Sequence, residues 1–307
     1  MKFYVGITDM NWFWYLKTAG ATEVNFWLPG GGTNFKALPP GGLFLFKHHK
    51  PDGGKIAGGG FFVRYEKLPM ELAWSAFGDE NGCPSLPAMK KRIMDYRASN
   101  GKAGDETSPI GCTILEQTFF FDEKDWIDSP ADWKDAIVSG KGYDTADEIG
   151  AALYEKVMLR LRALGRDELA VEPPAGSPAP AVRLAPGSGM FRLLVAEAYN
   201  RRCAITGVET VPALVAAHIK PVSAGGKNVV PNGLLLRADL DALFSRGYLT
   251  VGADDLRVRI ASSIPSSPTG CEAYGMLAGQ RIDVPSDSSL APDRDLLDWH
   301  NHNVFVA

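Results

Sequence analysis

The sequence predicts an α+β protein of two domains, and three observations carry that prediction. Residues 166–189 are dominated by Pro, Ala, Gly and Ser (from Leu169, LAVEPPAGSPAPAVRLAPGSG). Such a composition cannot pack a core and acts as an extended spacer. Residues 1–165 alternate short apolar and aromatic runs with Gly/Pro turns, which predicts several strands around a few helices in a small, curved, partly closed β-barrel. Residues 190–307 form the second domain, with its polar chemistry gathered between Cys203 and Gly247. At 307 residues, 45% of them hydrophobic, the chain can bury two ordinary cores.

In the first domain Lys2–Thr8 (KFYVGIT) reads as a strand, and Asn11–Lys17 as a short helix opening after Asp9. Glu23–Trp27 and Leu43–His48 read as strands separated by Gly/Pro-rich turns. Ala57–Tyr65 continues the sheet, and its Gly58-Gly59-Gly60 run predicts a bulge or a close backbone approach. Helices are predicted over Pro69–Phe77 and Pro87–Ser99, and a further strand over Gly111–Phe121. Asp144–Leu164 has helical periodicity with Asp144 or Thr145 as its cap. His48-His49 lacks a partner at metal-like spacing and reads as a surface pair at a strand end. Beyond the spacer, Phe191–Tyr199 and Ala238–Arg246 read as short helices, the latter with Leu240, Leu243 and Phe244 at apolar spacing.

The segment Cys203–Gly247 reads CAITG, then VAAHIKPVSAGG, then PNGLLLRADLDALFSRG. His218 ends an apolar run, Gly225-Gly226 marks a turn, and Asn232 and Asp241 follow in order. A solitary histidine beside an apolar run is ordinarily a core residue, but these companions in register argue for chemistry. Phosphodiester hydrolysis needs a base to activate water and a cation to neutralise developing charge. An imidazole suits the first task at cellular pH, and a carboxylate such as Asp241 suits a hard cation. Over residues 190–251 the pattern resembles the HNH nuclease motif, a two-strand-plus-helix (ββα-metal) unit. The resemblance implies that His218 is the general base and that Asn232 fixes the loop carrying it. It places Asp241 where many relatives bind metal, with Mg²⁺ or Mn²⁺ as the implied cofactor and Ni²⁺ or Zn²⁺ as alternatives. Many relatives carry a second ligand just before the base; here that residue is Ala217. Asp239, water or substrate phosphate would then fill the vacancy, although Asp239 is equally suited to favouring the helix dipole. Lys220 and Arg237 are candidate phosphate contacts, with solvated helix charge as the plainer account of Arg237.

Cys83, Cys112, Cys203 and Cys271 are scattered without a CxxC pair, which argues against structural zinc and against a disulfide framework. Met1-Lys2 leads directly into a strand-like run, and no apolar stretch reaches membrane length, so a soluble cytoplasmic protein is the expectation. The net charge of -4 does not point to nucleic acid. Locally the balance differs: residues 188–260 hold nine Lys/Arg against six Asp/Glu, and Lys90, Lys91 and Arg92 form a basic run proposed to meet DNA phosphate.

FYVGITDMNWFWYL, GLFLFK and GGGFFVRYEKLP together resemble the PUA-like group of EVE, ASCH, YTH and SRA modules. Several of those bind a modified base flipped from nucleic acid. Six of the seven tryptophans lie in the first 133 residues, and planar side chains replace the stacking that an extruded base loses. Trp12 and Trp27, with Asp9 and Asn25 for the base edge, are the candidate pocket. The combined resemblance implies a modification-dependent restriction endonuclease acting on double-stranded DNA, leaving 5′-phosphate ends. One HNH unit cuts one strand, so double-strand breaks imply two copies, as a homodimer or in successive visits. A non-catalytic reader with a degenerate HNH scaffold and an RNA-directed nuclease are the alternatives.

Overall fold

The computed structural model describes residues 1–30, 34–99, 101, 105–166, 169, 187–262 and 272–306. The chain divides into two compact units, Met1–Ala185 and Pro186–Ala307. Most of the Pro/Ala-rich spacer, and Cys271, lie outside the described residues.

Unit 1 contains β1 (Lys2–Thr8), α1 (Met10–Ala19), β2 (Glu23–Leu28), β3 (Leu43–His48) and β4 (Ile56–Leu68). Helices α2 (Met70–Phe77) and α3 (Leu86–Ser99), strands β5 (Ile110–Phe120) and β6 (Gly140–Asp144), and helix α4 (Glu148–Ala163) follow. The strands form one six-stranded sheet in the order β2-β5-β4-β3-β1-β6. Only β1 and β3 pair in parallel; the other neighbours are antiparallel. The pairing closes no ring among the described residues: β2 and β6 are the two ends of the sheet.

Burial on both faces accounts for the open sheet. One face packs Phe3, Val5, Leu43 and Leu45 against Leu153, Val157 and Leu161 of α4. The other packs Val24, Phe26, Phe44 and Phe46 against Trp12, Phe13 and Leu16 of α1. Helices cover the apolar surface that a barrel would have to turn inward. Consistent with that, all six residues of β3 are buried. Beside the Gly58–Gly60 run the β4–β5 register shifts between Gly59 and Phe61, so the predicted irregularity is present.

Three readings of this unit need correction. Asp147, not Asp144 or Thr145, occupies the N-cap position of α4. Asp144 ends β6 instead, and with Thr145 it accepts from the chain's amino terminus at 3.0 and 2.5 Å. His48 is not a surface residue: it is fully buried, with the rings of Phe13 and Trp126 edge-on at 4.8 and 4.6 Å. Burial pushes its pKa down to about 4. Alternation explains the error, because His48 lies on the α1 face of β3, beyond Phe44 and Phe46. The basic run on α3 is also not a free cationic face. Lys90 pairs with Glu71 and Glu106, Lys91 with Asp95, and Arg92 donates to the Gly82 carbonyl with Asp9 4.0 Å away.

Unit 2 opens with α5 (Ser188–Ala198), followed by β7 (Leu214–His218), β8 (Gly233–Arg237) and α6 (Ala238–Ser245). Strands β9 (Leu249–Val251) and β10 (Val258–Ile260) and helices α7 (Glu272–Gly275) and α8 (Arg294–Asn303) complete it. β7 and β8 pair antiparallel from Leu214↔Arg237 to His218↔Gly233, and α6 begins at the residue after β8. Phe191, Val195, Leu234, Leu236, Leu240, Phe244 and Leu297 share one core with Cys203, which is a buried free thiol. α8 braces α6: buried His300 stacks on Phe244 at 3.9 Å and bridges Thr250 Oγ1 and the Phe244 carbonyl. Among the described residues, no helix is long and apolar enough to cross a membrane.

Candidate active site

The β7–β8 pairing sets the position of His218, at the last residue of β7 and opposite Gly233. A Cβ at Gly233 would lie 2.5 Å from Val195 and 3.0 Å from the Phe191 ring. The bare backbone there lets Phe191 lie flat on the imidazole, with centroids 4.0 Å apart and an interplanar angle of 16°. His218 Nε2 is 2.8 Å from Asn228 Oδ1. An amide oxygen only accepts, so this contact calls for the proton on Nε2 and leaves Nδ1 as the basic nitrogen.

The loop between β7 and β8 folds back on Asn232, which is fully buried. Its Oδ1 accepts from the Lys220 amide, and its Nδ2 donates to the carbonyls of Lys220 and Lys227, each at 2.9 Å. The Ile219 amide donates to the Asn232 carbonyl at 2.9 Å. One asparagine thus ties down both ends of the loop just after His218. Gly226 is required by this clamp, because a Cβ there would stand 1.8 Å from the Lys220 carbonyl oxygen and 2.9 Å from Asn232 Nδ2.

Asp241 lies in the first turn of α6, half-buried. Burial pushes its carboxyl up, while the Ser245 hydroxyl at 3.3 Å and the charge of His218 pull it back. Asp239 is differently placed. It accepts from Arg237 Nε at 3.0 Å and Nη2 at 2.5 Å, and from the Tyr274 hydroxyl at 3.0 Å. The Arg237 guanidinium holds its pKa down to about 2. Asp239 thus closes an ion pair with Arg237 and also accepts from Tyr274. Lys220 is half-buried with its Nζ 5.2 Å from the centre of the Trp299 ring.

Residues 203–252 match the HNH endonuclease family. The C-terminal unit carries an HNH endonuclease domain. Two solved structures bear a remote likeness to most of the chain. One is a modification-dependent TagI restriction endonuclease, 13% identical with a TM-score of 0.32, covering 92% of this chain and 77% of that one. The other is the type IV phosphorothioation-dependent restriction endonuclease ScoMcrA, 13% identical with a TM-score of 0.25, covering 79% and 49%. The assignment of the domain rests on residues 203–252 and not on these likenesses. Among curated proteins none matches.

HNH nucleases generally work with a divalent cation. Among the described residues no three His, Cys, Asp or Glu side chains form a ready-made metal cluster. The donor set still fits a hard cation that keeps most of its water. Asp241 is a partly desolvated carboxylate with one long hydrogen bond, within electrostatic reach of His218, and a cation would offset its burial. Asp241 would hold the ion, leaving the other positions to water and substrate oxygens and His218 Nδ1 free to act as base.

The candidate base-binding residues of unit 1 are each engaged in contacts within the fold. Asp9 caps α1, accepting from the Trp12 amide at 2.7 Å. Trp12 is 3% exposed and packs edge-on against Phe26 and Phe46, so neither face is open to a base. Asn25 is fully buried and donates to Asn81 Oδ1 at 2.9 Å and to Cys112 Sγ at 3.3 Å. Trp27 is half-buried, its Nε1 donating to the Asn81 carbonyl at 2.8 Å. Asn25 and Trp27 anchor the turn at Asn81 instead. The sequence reading missed Asn228 and Phe191. The only signal for Asn228 was an amide in the loop downstream of the base, and Phe191 had none beyond helical spacing.

Proposed function

We propose that this chain is a modification-dependent DNA endonuclease, in which residues 1–165 read a modified base, residues 166–189 are a spacer and residues 190–307 cut. The observation that carries the cutting half is the convergence of His218, the Asn232 clamp and Asp241 within the segment that matches HNH endonucleases. In this reading His218 Nδ1 takes the proton of the attacking water, while Asn228 and Phe191 hold the ring. Asn232 keeps the ring's loop from shifting, and Asp241 stands beside the scissile phosphate. A divalent ion bound there, Mg²⁺ or Mn²⁺, supplies charge neutralisation. The 3′-oxygen leaves and a 5′-phosphate remains.

Support for the reading half is the PUA-like sequence pattern and the aromatic content of unit 1, together with the names of the two remote structural neighbours. A single HNH unit nicks one strand per engagement, so double-strand cutting requires two copies. The deciding experiment incubates the full chain with plain DNA, with DNA carrying modified cytosine or adenine, and with RNA, each with and without Mn²⁺. Cutting confined to modified DNA, absent in His218→Ala, is the expected result. Cutting of RNA alone, or of nothing, would sink the proposal.

A further inference from the structure

Unit 1 holds a cavity that none of the candidate base-binding residues lines. Its volume is about 470 Å³, within the roughly 300–1,000 Å³ typical of small-ligand sites. It lies where Ile7 and Lys47, near the ends of β1 and β3, meet Trp133, Ile137 and Val138, with Tyr96 of α3 alongside.

Its polar feature is unusual. Lys47 is only 3% exposed. Its Nζ donates to the His48 carbonyl at 3.1 Å and sits 4.7 Å from the centre of the Trp133 ring. Burial pushes its pKa down, and Asp135 pulls it partly back. Asp135 itself is in contact with Lys50, at 2.6 Å. Among the described residues, no carboxylate makes an ion pair with Lys47. An ammonium has three donors, and a buried one with an incomplete set is costly unless something in the cavity accepts from it. The lining also includes two exposed large side chains, Tyr96 at 38% and Val138 at 78%. The site therefore suits a ligand with an acceptor edge and apolar faces. A phosphate would also find Lys47 there, but Lys50 is already paired with Asp135, and Ile7, Trp133, Ile137 and Val138 offer it no donors, so the test below separates the two.

We propose that this cavity receives the extruded base, with Lys47 donating to a carbonyl or ring-nitrogen acceptor on the base edge and Tyr96, Trp133 and Val138 covering its faces. The inference rests on the reader function proposed above and gives it a location.

The test uses the full chain and short duplexes, each with one 5-methylcytosine, 5-hydroxymethylcytosine, glucosylated 5-hydroxymethylcytosine or N6-methyladenine, against the plain duplex in matched salt. The quantity read is the ratio of affinities for the preferred and the plain duplex. Lys47→Met should lower that ratio about tenfold or more, the scale of one lost charge-assisted hydrogen bond. Val138→Glu, at an exposed position that does not threaten the core, should lower it too, and circular dichroism checks both folds. A wild type that discriminates while both variants keep its ratio would overturn the pocket and leave the reader standing. Equal weakening on both duplexes in Lys47→Met, with a salt slope smaller by about one, would make Lys47 a phosphate contact and also overturn it. A wild type blind to every modification overturns the reader and the pocket together.

Discussion

In unit 2, residues picked from sequence spacing keep an imidazole and a carboxylate available for chemistry, whereas in unit 1 residues picked from composition are consumed by the fold's own contacts. His218, Asn232 and Asp241 come from a strand end, a turn and a helix; Asn232 clamps the loop that follows His218, and Asp241 lies within electrostatic reach of His218. Asp9, Trp12, Asn25 and Trp27 are each taken up by a cap, a core or an anchor. Spacing between unlike polar residues encodes a geometry, because a strand pair and a helix admit few arrangements. An abundance of tryptophan encodes only a need to bury aromatic surface, and the core meets that need first.

The comparison breaks most readily at His218. His218→Ala should lower cleavage by about 10²–10⁴-fold, the usual contribution of a positioned base, with the fold retained. Normal cutting by that variant, in a plasmid nicking assay, would make His218 a structural residue like those of unit 1. Asp241→Asn should also stop cutting, and it should do so while raising thermal stability at pH 7. The folded carboxyl has its pKa raised above 3.8, so its ionisation costs the folded state stability as pH rises through that value. Scanning fluorimetry that shows a lower midpoint for Asp241→Asn at pH 7 would contradict this account.

Trp12→Ala should destabilise unit 1 by about 3–5 kcal/mol, the range for emptying an aromatic site in a core. Chemical denaturation measures it. A stable variant that has lost only base discrimination would restore Trp12 to the reader and erase the contrast. Asn232→Ala removes three hydrogen bonds from a buried amide and should cost unit 2 about 2–4 kcal/mol, together with cutting. The last expected effect, seen only in acid, is a loss of stability. His48 is held neutral in the fold, with a pKa of about 4 against 6.5 when free. Its unit should lose stability as pH falls from about 6.5 towards 4, and His48→Leu should flatten that slope in melts taken across the same range.

Secondary structure was largely legible from the sequence because it is written locally. β1 and β3 occupy the predicted Lys2–Thr8 and Leu43–His48, and α1 opens after Asp9 as its cap geometry requires. β6 and α8 were not read: β6 is a short GKGYD strand with little apolar signal, and α8 is largely polar with a buried histidine where an apolar residue is usual. The order of unlike residues from His218 to Asp241 was legible for the same local reason, since strand, turn and helix follow one another without a break in the chain.

What the sequence determined by itself was most of the elements of unit 1, the HNH spacing and a turn at Gly225-Gly226. Tertiary packing decided the rest, because burial and pairing depend on residues far apart in the chain. It set helices over both faces of an open sheet, bound Asp239 to Arg237 and Tyr274, and left Asp241 less compensated. It also buried His48 and Lys47, on opposite faces of β3, beneath rings from distant parts of the chain (Phe13 and Trp126 over one, Trp133 over the other). A side chain's chemistry is fixed by its own atoms, but its charge balance is fixed by whatever the fold brings against it.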